Sequence, residues 1–318
     1  MSDRPNDDLR AKLFLAAMRA DSAFQAGSRF LELDSDGNPE KLDVYVELVQ
    51  WSAPTISFAK KLESAAGKIG FPWTEAAVLG RLFFREGAPS VDSLTSLELT
   101  AVDRLPGDSF AWVALRALQS GEARARGDLK MANYYLRDAT ERTAEVRHPL
   151  ISELMDSILS HAQGLLAQTE GNFALALSKF KNSSEISKRH GTRLAPIAAM
   201  DLAGLHWASG QYARALELHT DEHHRSEDLE RLGPAWSLRS HLSAAKCAID
   251  CGKLLIAETE LRAAEQLLRE TAGLPEMLQG YYLLYSGELD LTALEGNSRG
   301  GFDLLEKACQ IFESMDPP

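Results

Sequence analysis

The sequence predicts an all-α protein made of antiparallel helix hairpins, and three observations support this fold class. Apolar residues recur at spacings of three and four along nearly the whole chain, as in the segment 150–159. Strand-like alternation of apolar and polar residues is almost absent. Stop signals made of glycine and proline separate the helical segments at regular intervals. These signals are Gly37-Asn38-Pro39, Gly70-Phe71-Pro72, Pro106-Gly107, Gly191, Gly233-Pro234 and Gly273-Leu274-Pro275.

Residues 1–72 read as helical but carry no internal repeat. The apolar spacing predicts helices over about 7–26, 39–51 and 53–68. Asn38 and Pro39 provide a start signal for the second of these helices. We interpret this region as an N-terminal helical cap or as degenerate repeats.

Residues 73–318 contain a repeated pattern, which reads Gly-polar-apolar-x-x-Ala in its best copies. Its turn glycines lie 40, 44, 39, 42 and 44 residues apart. They are Gly87, Gly127, Gly171, Gly210, Gly252 and Gly296. Seven residues before the first five glycines stand small residues, namely Gly80, Ser120, Gly164, Ala203 and Ala245. Small residues at fixed offsets let two helices approach closely, so each repeat predicts one helix hairpin with a glycine turn.

Two further offsets agree when the copies are aligned on the turn glycine. Nine residues after it stand Leu136, Phe180, His219, Leu261 and Leu305. Twelve residues after it stand Ala139, Ser183, Glu222, Ala264 and Ala308. We expect both positions of the second helix to face the first helix of the same hairpin.

This pattern resembles the tetratricopeptide repeat, and the clearest copy runs from Gly164 through Gly171-Asn172-Phe173 to Phe180. The resemblance implies a right-handed superhelical solenoid of about six hairpins, whose first helices line a concave groove. The copies are longer than the usual period of about 34 residues, and Asp92 and Glu222 replace the usual alanine. They are more similar to the repeats of bacterial signalling and transcription regulators than to those of chaperone adaptors.

Positions six and two residues before the turn glycine should point into the groove. They hold Arg81 and Arg85 in the first copy and Lys246 and Asp250 in the fifth. Arg124 and Arg239 lie on first helices as well and are expected to join them. Basic groups in such a groove can meet carboxylates or phosphates of a partner. Exposed solubilising charge is the alternative interpretation.

Composition narrows the classes of protein to consider. The 318 residues include 34 Lys and Arg against 46 Asp and Glu, a formal charge of −12, which argues against direct binding to nucleic acid.

No apolar stretch of about 20 residues predicts a membrane span. Three cysteines and the absence of a signal-peptide pattern near Met1 indicate a cytoplasmic protein without a disulfide framework.

One string has the spacing of a zinc site, His219-x-x-Glu222-His223, which matches the signature of inverted zincins. Two histidines four apart share a helix face and could hold zinc, with the glutamate as base. The alternative is a polar helix end that runs into a charged loop, and we favour it because the offsets place His219 and Glu222 toward the core. Phosphate-binding loops and nucleophile elbows are missing, so the sequence predicts neither an enzyme nor a cofactor.

The predicted last helix, about 298–315, has an apolar set broader than one buried stripe. The set comprises Phe302, Leu304, Leu305, Ala308, Cys309, Ile311, Phe312 and Met315. Terminal repeats normally need a polar outer face. We therefore expect either a continuation of the array in a longer protein or a homo-oligomer contact through this helix.

The leading functional interpretation is a non-catalytic scaffold or regulatory repeat domain that holds a protein or peptide in the concave groove. A different interpretation is a ligand-sensing segment of a larger signalling protein, such as a nucleotide cyclase (for example a diguanylate cyclase) or a transcription regulator. A zinc hydrolase built on His219, Glu222 and His223 is the third.

Overall fold

The computed structural model describes residues 7–20, 23–34, 109–144, 146–220, 232–293 and 298–315. These residues form helices and no strand, which confirms the predicted all-α class. The helices are α1 (Asp7–Arg19), α2 (Ala23–Asp34), α3 (Phe110–Ala125), α4 (Leu129–Thr143), α5 (Pro149–Thr169), α6 (Phe173–His190), α7 (Leu194–Ala208), α8 (Tyr212–Thr220), α9 (Pro234–Asp250), α10 (Leu254–Glu270), α11 (Glu276–Ala293) and α12 (Arg299–Ser314).

The chain divides into two compact units, unit 1 (Met1–Ala195) and unit 2 (Pro196–Pro318). In unit 1, α3 packs against α4 and α5 against α6, while α3 and α4 both contact α5. In unit 2, α9 packs against α10 and α11 against α12, while α9 and α10 both contact α11. Each unit therefore contains successive hairpins joined in the same way. The sequence boundary expected near residue 72 lies outside the described residues.

The same turn joins α3 to α4, α5 to α6, α7 to α8 and α9 to α10. Its glycine has a positive φ of 78° at Gly127, 75° at Gly171, 75° at Gly210 and 69° at Gly252. Residues with a Cβ seldom adopt this left-handed conformation, so glycine at this position ends the first helix without strain. The predicted turns at these four positions are confirmed. Gly87 and Gly296 lie outside the described residues.

Hydrogen bonds close each of the four turns identically. The N–H of the residue after the glycine donates to the carbonyl five residues earlier, at 2.8 Å for Asp128 to Ala123 and for Asn172 to Ala167. The glycine N–H donates in addition to the carbonyl three residues before it, which completes a Schellman motif. The side chains of Asp128 and Asn172 then accept from the second helix's backbone N–H three residues on, so the polar residue of the pattern is a helix N-cap.

The small residues of the repeat pattern are buried. Ala132, Ala176, Ala215 and Ala257, five residues after the turn glycines, are fully shielded from solvent. Seven residues before its turn glycine, Gly164 lies close to the partner helix, since a Cβ built there would lie 2.6 Å from two ring carbons of Phe180. In the hairpin of α5 and α6, the two helices therefore approach closely at Gly164, where the Phe180 ring packs against the glycine backbone.

Helix α1 belongs to the core of unit 1. Its side chains Leu13, Phe14 and Met18 are buried in the same apolar cluster as residues of α3, α4 and α5. The rings of Phe14 and Phe110 stack at a centroid distance of 4.8 Å. Since α1 also contacts α5, it packs against both hairpins' first helices.

The predicted single helix over residues 7–26 is wrong, because the structure contains two helices, α1 and α2, in this region. The backbone N–H of Arg193 donates to the Met18 carbonyl at 3.0 Å, and the Arg193 guanidinium donates to the Ala20 carbonyl at 3.3 Å. In return, Arg19 Nε donates to the His190 carbonyl at 2.6 Å. The tertiary bonds from Arg193 thus satisfy two carbonyls at and just beyond the end of α1.

Candidate functional site

The basic residues predicted to line a groove fall into three groups. Arg81 and Arg85 lie outside the described residues. Arg124 lies near the end of α3 in unit 1, whereas Arg239 and Lys246 lie on α9 in unit 2. All three described residues are on first helices of hairpins. Arg239 and Lys246 are seven residues apart and so share one face of α9.

Arg124 links neighbouring first helices in unit 1. Its Nη1 donates to Thr169 Oγ1 of α5 at 3.3 Å. Its Nε is buried and has no hydrogen-bond partner among the described residues. Arg124 stands three residues before one turn glycine, and Thr169 stands two residues before the next.

The same two repeat positions are linked in unit 2. The indole Nε1 of Trp207, three residues before Gly210, donates to Asp250 Oδ2 at 2.5 Å. Asp250 stands two residues before Gly252. Corresponding positions of consecutive hairpins thus carry a polar bond between first helices in both units, although the residue types differ.

Lys246 of α9 connects the bonded pair of Trp207 and Asp250 to Glu288 of α11. Its Nζ donates to Asp250 Oδ1 and to Glu288 Oε2, both at 2.9 Å. Burial alone would lower the pKa of Lys246, but the two carboxylates outweigh it and hold the pKa above its ordinary value. Lys246 is therefore a charged bridge between two acidic side chains.

Arg239 has aromatic and acidic neighbours of its own. Its guanidinium lies over the ring of Trp236, 5.4 Å from the centroid, and 3.9 Å from the carboxylate of Asp201 on α7. Unlike Lys246, Arg239 is mostly exposed. A cation over an indole with a carboxylate nearby is a stable surface arrangement.

We call the set Trp207, Asp250, Lys246 and Glu288 the bridging network. It connects three first helices within unit 2, namely the part of α7 from residue 196 onward, α9 and α11. The sequence predicted Lys246 and Asp250 as groove positions but missed Trp207 and Glu288. The offset of three residues before the glycine, which Arg124 shares, was the signal that could have identified Trp207.

A buried thiol and a buried phenol adjoin this network. Burial raises the pKa of Cys247 to about 12, so the thiol is protonated at neutral pH and unreactive as a nucleophile. Burial likewise raises the pKa of Tyr285, which packs in the same apolar cluster as Cys247. Both groups are neutral, so the charges of this region come from the carboxylates and Lys246.

Of the predicted zinc string, the structure describes only His219, which is buried near the end of α8 at a core-facing repeat position. Glu222 and His223 lie outside the described residues. Among the residues that are described, no group of three His, Cys, Asp or Glu side chains is placed to hold a metal ion.

The last described helix, α12, packs on α11 with one side and leaves apolar groups exposed on another. Gly280 and Gly287 receive it closely, since a Cβ on Gly280 would lie 2.7 Å from the Phe312 ring and one on Gly287 2.9 Å from Leu305. Phe302, Cys309 and Met315 are exposed. A contact between two copies through this helix stays a prediction.

The formal charge is unevenly divided between the two units. Unit 2 holds 20 of the 46 acidic residues but only 10 of the 34 basic ones, which gives it a charge of −10. Unit 1 holds 26 acidic and 24 basic residues, a charge of −2. Nearly all of the net charge of −12 therefore belongs to the unit that contains the bridging network.

Comparison with protein-family models gives no match for this chain, and comparison with curated protein sequences gives none either. In the described part of the chain, no helix combines the length and the apolar character that crossing a bilayer requires.

Proposed function

We propose that the hairpins stack as a right-handed superhelical solenoid and that the protein is a non-catalytic scaffold, or regulatory repeat domain, for a protein or peptide. The partner lies on the face formed by the first helices of successive hairpins. Adjacent first helices provide a continuous surface on which an extended or helical partner segment can lie.

The observation that carries this proposal is the half-exposed indole of Trp207, held by its bond to Asp250 on a first helix. A large aromatic side chain with a fixed orientation loses little conformational entropy on binding, and such residues dominate the energetics of protein interfaces. Trp207 therefore has the chemistry of an interface anchor.

Substitution of Trp207 by alanine tests this function. The full chain is immobilised and used to capture partners from the cells that produce it, and the amount of each captured protein is compared by mass spectrometry. Trp207→Ala is expected to reduce capture of the specific partner by about tenfold, since an interface anchor contributes at least 1–2 kcal/mol.

Tyr212→Ala is the matched control, because Tyr212 is an aromatic residue with the same 38% exposure as Trp207 but lies on the second helix α8. Thermal unfolding verifies that both variants are folded. If both variants capture as much as the unaltered protein, or both lose the partner equally, the first-helix face is not the binding surface.

A further inference from the structure

In the bridging network, the aromatic ring of Trp207 lies next to two carboxylates that share a single cation, Lys246. Asp250 accepts one bond from the Trp207 indole and one from Lys246, and Glu288 accepts a second bond from Lys246. Two carboxylates thus share one ammonium group, which leaves the network with a net negative charge. Glu288 is partly exposed, so its charge reaches the solvent beside the network.

The first helices that contain the bridging network also carry more carboxylates than cations. Helices α7, α9 and α11 carry five carboxylates against two cations. The carboxylates are Asp201, Asp250, Glu276, Glu288 and Asp290. Both cations, Arg239 and Lys246, already lie against carboxylates of neighbouring first helices. The face therefore has no spare positive charge for an acidic partner, and the charge of −10 on unit 2 favours the approach of a basic one.

An arginine of the chain itself already occupies an equivalent arrangement on this face. Arg239 lies over the ring of Trp236 and beside the carboxylate of Asp201. Trp207 and Asp250 form a second pair of indole and carboxylate, and the Trp207 side chain is 38% exposed. The indole N–H bond to Asp250 fixes the ring, so its exposed surface is available to a cation without reorganisation.

From this geometry we infer that the first-helix face of unit 2 binds a basic peptide segment of a partner protein, with a lysine or arginine over Trp207 and its charge balanced by Asp250 and Glu288. The inference rests on the proposed scaffold function and adds the chemistry of the partner. It reverses the expectation from the sequence that Arg239 and Lys246 meet an acidic partner, because the structure pairs both with carboxylates.

Two pools of short synthetic peptides test the inference on the full chain. The pools are identical except that the charged positions are Lys and Arg in one and Asp and Glu in the other, and binding is followed by fluorescence polarisation. The basic pool is expected to bind about tenfold or more tightly than the acidic pool, with an affinity that falls as salt rises.

Trp207→Ala and Glu288→Gln are each expected to weaken binding of the basic pool by about fivefold or more. Glu265→Gln is the matched control, because Glu265 is a similarly exposed carboxylate that pairs with Arg269 on the second helix α10. Glu288→Gln keeps the side-chain shape and leaves Lys246 bonded to Asp250, so the variant is expected to fold.

The inference is overturned if the chain prefers the acidic pool. It is also overturned if neither Trp207→Ala nor Glu288→Gln weakens binding of the basic pool. If neither pool binds while the chain still captures a cellular partner in a Trp207-dependent manner, the basic-peptide inference is wrong and the scaffold function stands. Capture that does not depend on Trp207 contradicts the first-helix face as the binding surface.

Discussion

Replacing Phe14 by alanine is expected to lower the free energy of unfolding of unit 1 by about 3–5 kcal/mol. Phe14 is fully buried, and its ring stacks on Phe110 at the start of α3. The alanine leaves a cavity between α1 and the hairpins that the surrounding side chains fill only in part. Chemical denaturation followed by circular dichroism measures the change.

Phe173→Ala is the control for this substitution, because Phe173 lies in the first turn of α6 in the same unit and is exposed. We expect its effect to stay below about 1 kcal/mol, as for most surface substitutions. Equal and small effects of the two variants would show that α1 is not part of the unit 1 core.

Gly164→Ala is expected to destabilise unit 1 by about 2 kcal/mol, although alanine is the better helix former. The new Cβ would lie 2.6 Å from two ring carbons of Phe180, whose ring is fully buried and cannot turn away freely. The substitution therefore pushes α5 and α6 apart. The free energy of unfolding is measured as for Phe14.

Gly121→Ala provides the matched control on α3. A Cβ at Gly121 meets no atom within 4 Å, so alanine there is expected to stabilise the helix by about 0.5–1 kcal/mol. Combining Gly164→Ala with Phe180→Leu should recover part of the loss, because the smaller side chain makes room for the Cβ. If Gly164→Ala and Gly121→Ala are both stabilising, the hairpin does not have the close packing described above.

The repeat pattern predicts the hairpin turns and the close contacts within hairpins because both depend on local residue types. A left-handed turn position selects glycine, as at Gly127 and Gly171, and a close helix approach selects small residues, as at Gly164. These requirements recur at fixed offsets, so the sequence alone reveals them.

The break between α1 and α2 could not be predicted in the same way. The carbonyls of Met18 and Ala20 are satisfied by Arg193, about 170 residues away in the sequence. The apolar spacing within residues 7–26 carries no information about Arg193, so it predicts one continuous helix.

The offsets before the turn glycine singled out Lys246 and Asp250, which both lie on α9, but not the residues to which they bond. Whether they line a groove stays a prediction. Their partners Glu288 and Trp207 come from neighbouring hairpins about 40 residues away, and which residues meet depends on how successive first helices pack. These pairings neutralise the cations of the first helices in unit 2, and the remaining carboxylates leave a negative charge for a partner.

The location of the bound partner is the most direct test of the scaffold function. Amide hydrogen exchange of the full chain is measured with and without the partner recovered by capture, and protection is assigned to individual helices. We predict that protection concentrates in first helices and includes α7, α9 and α11. Protection confined to the second helices α4, α6 and α10 would contradict a partner held on the first-helix face.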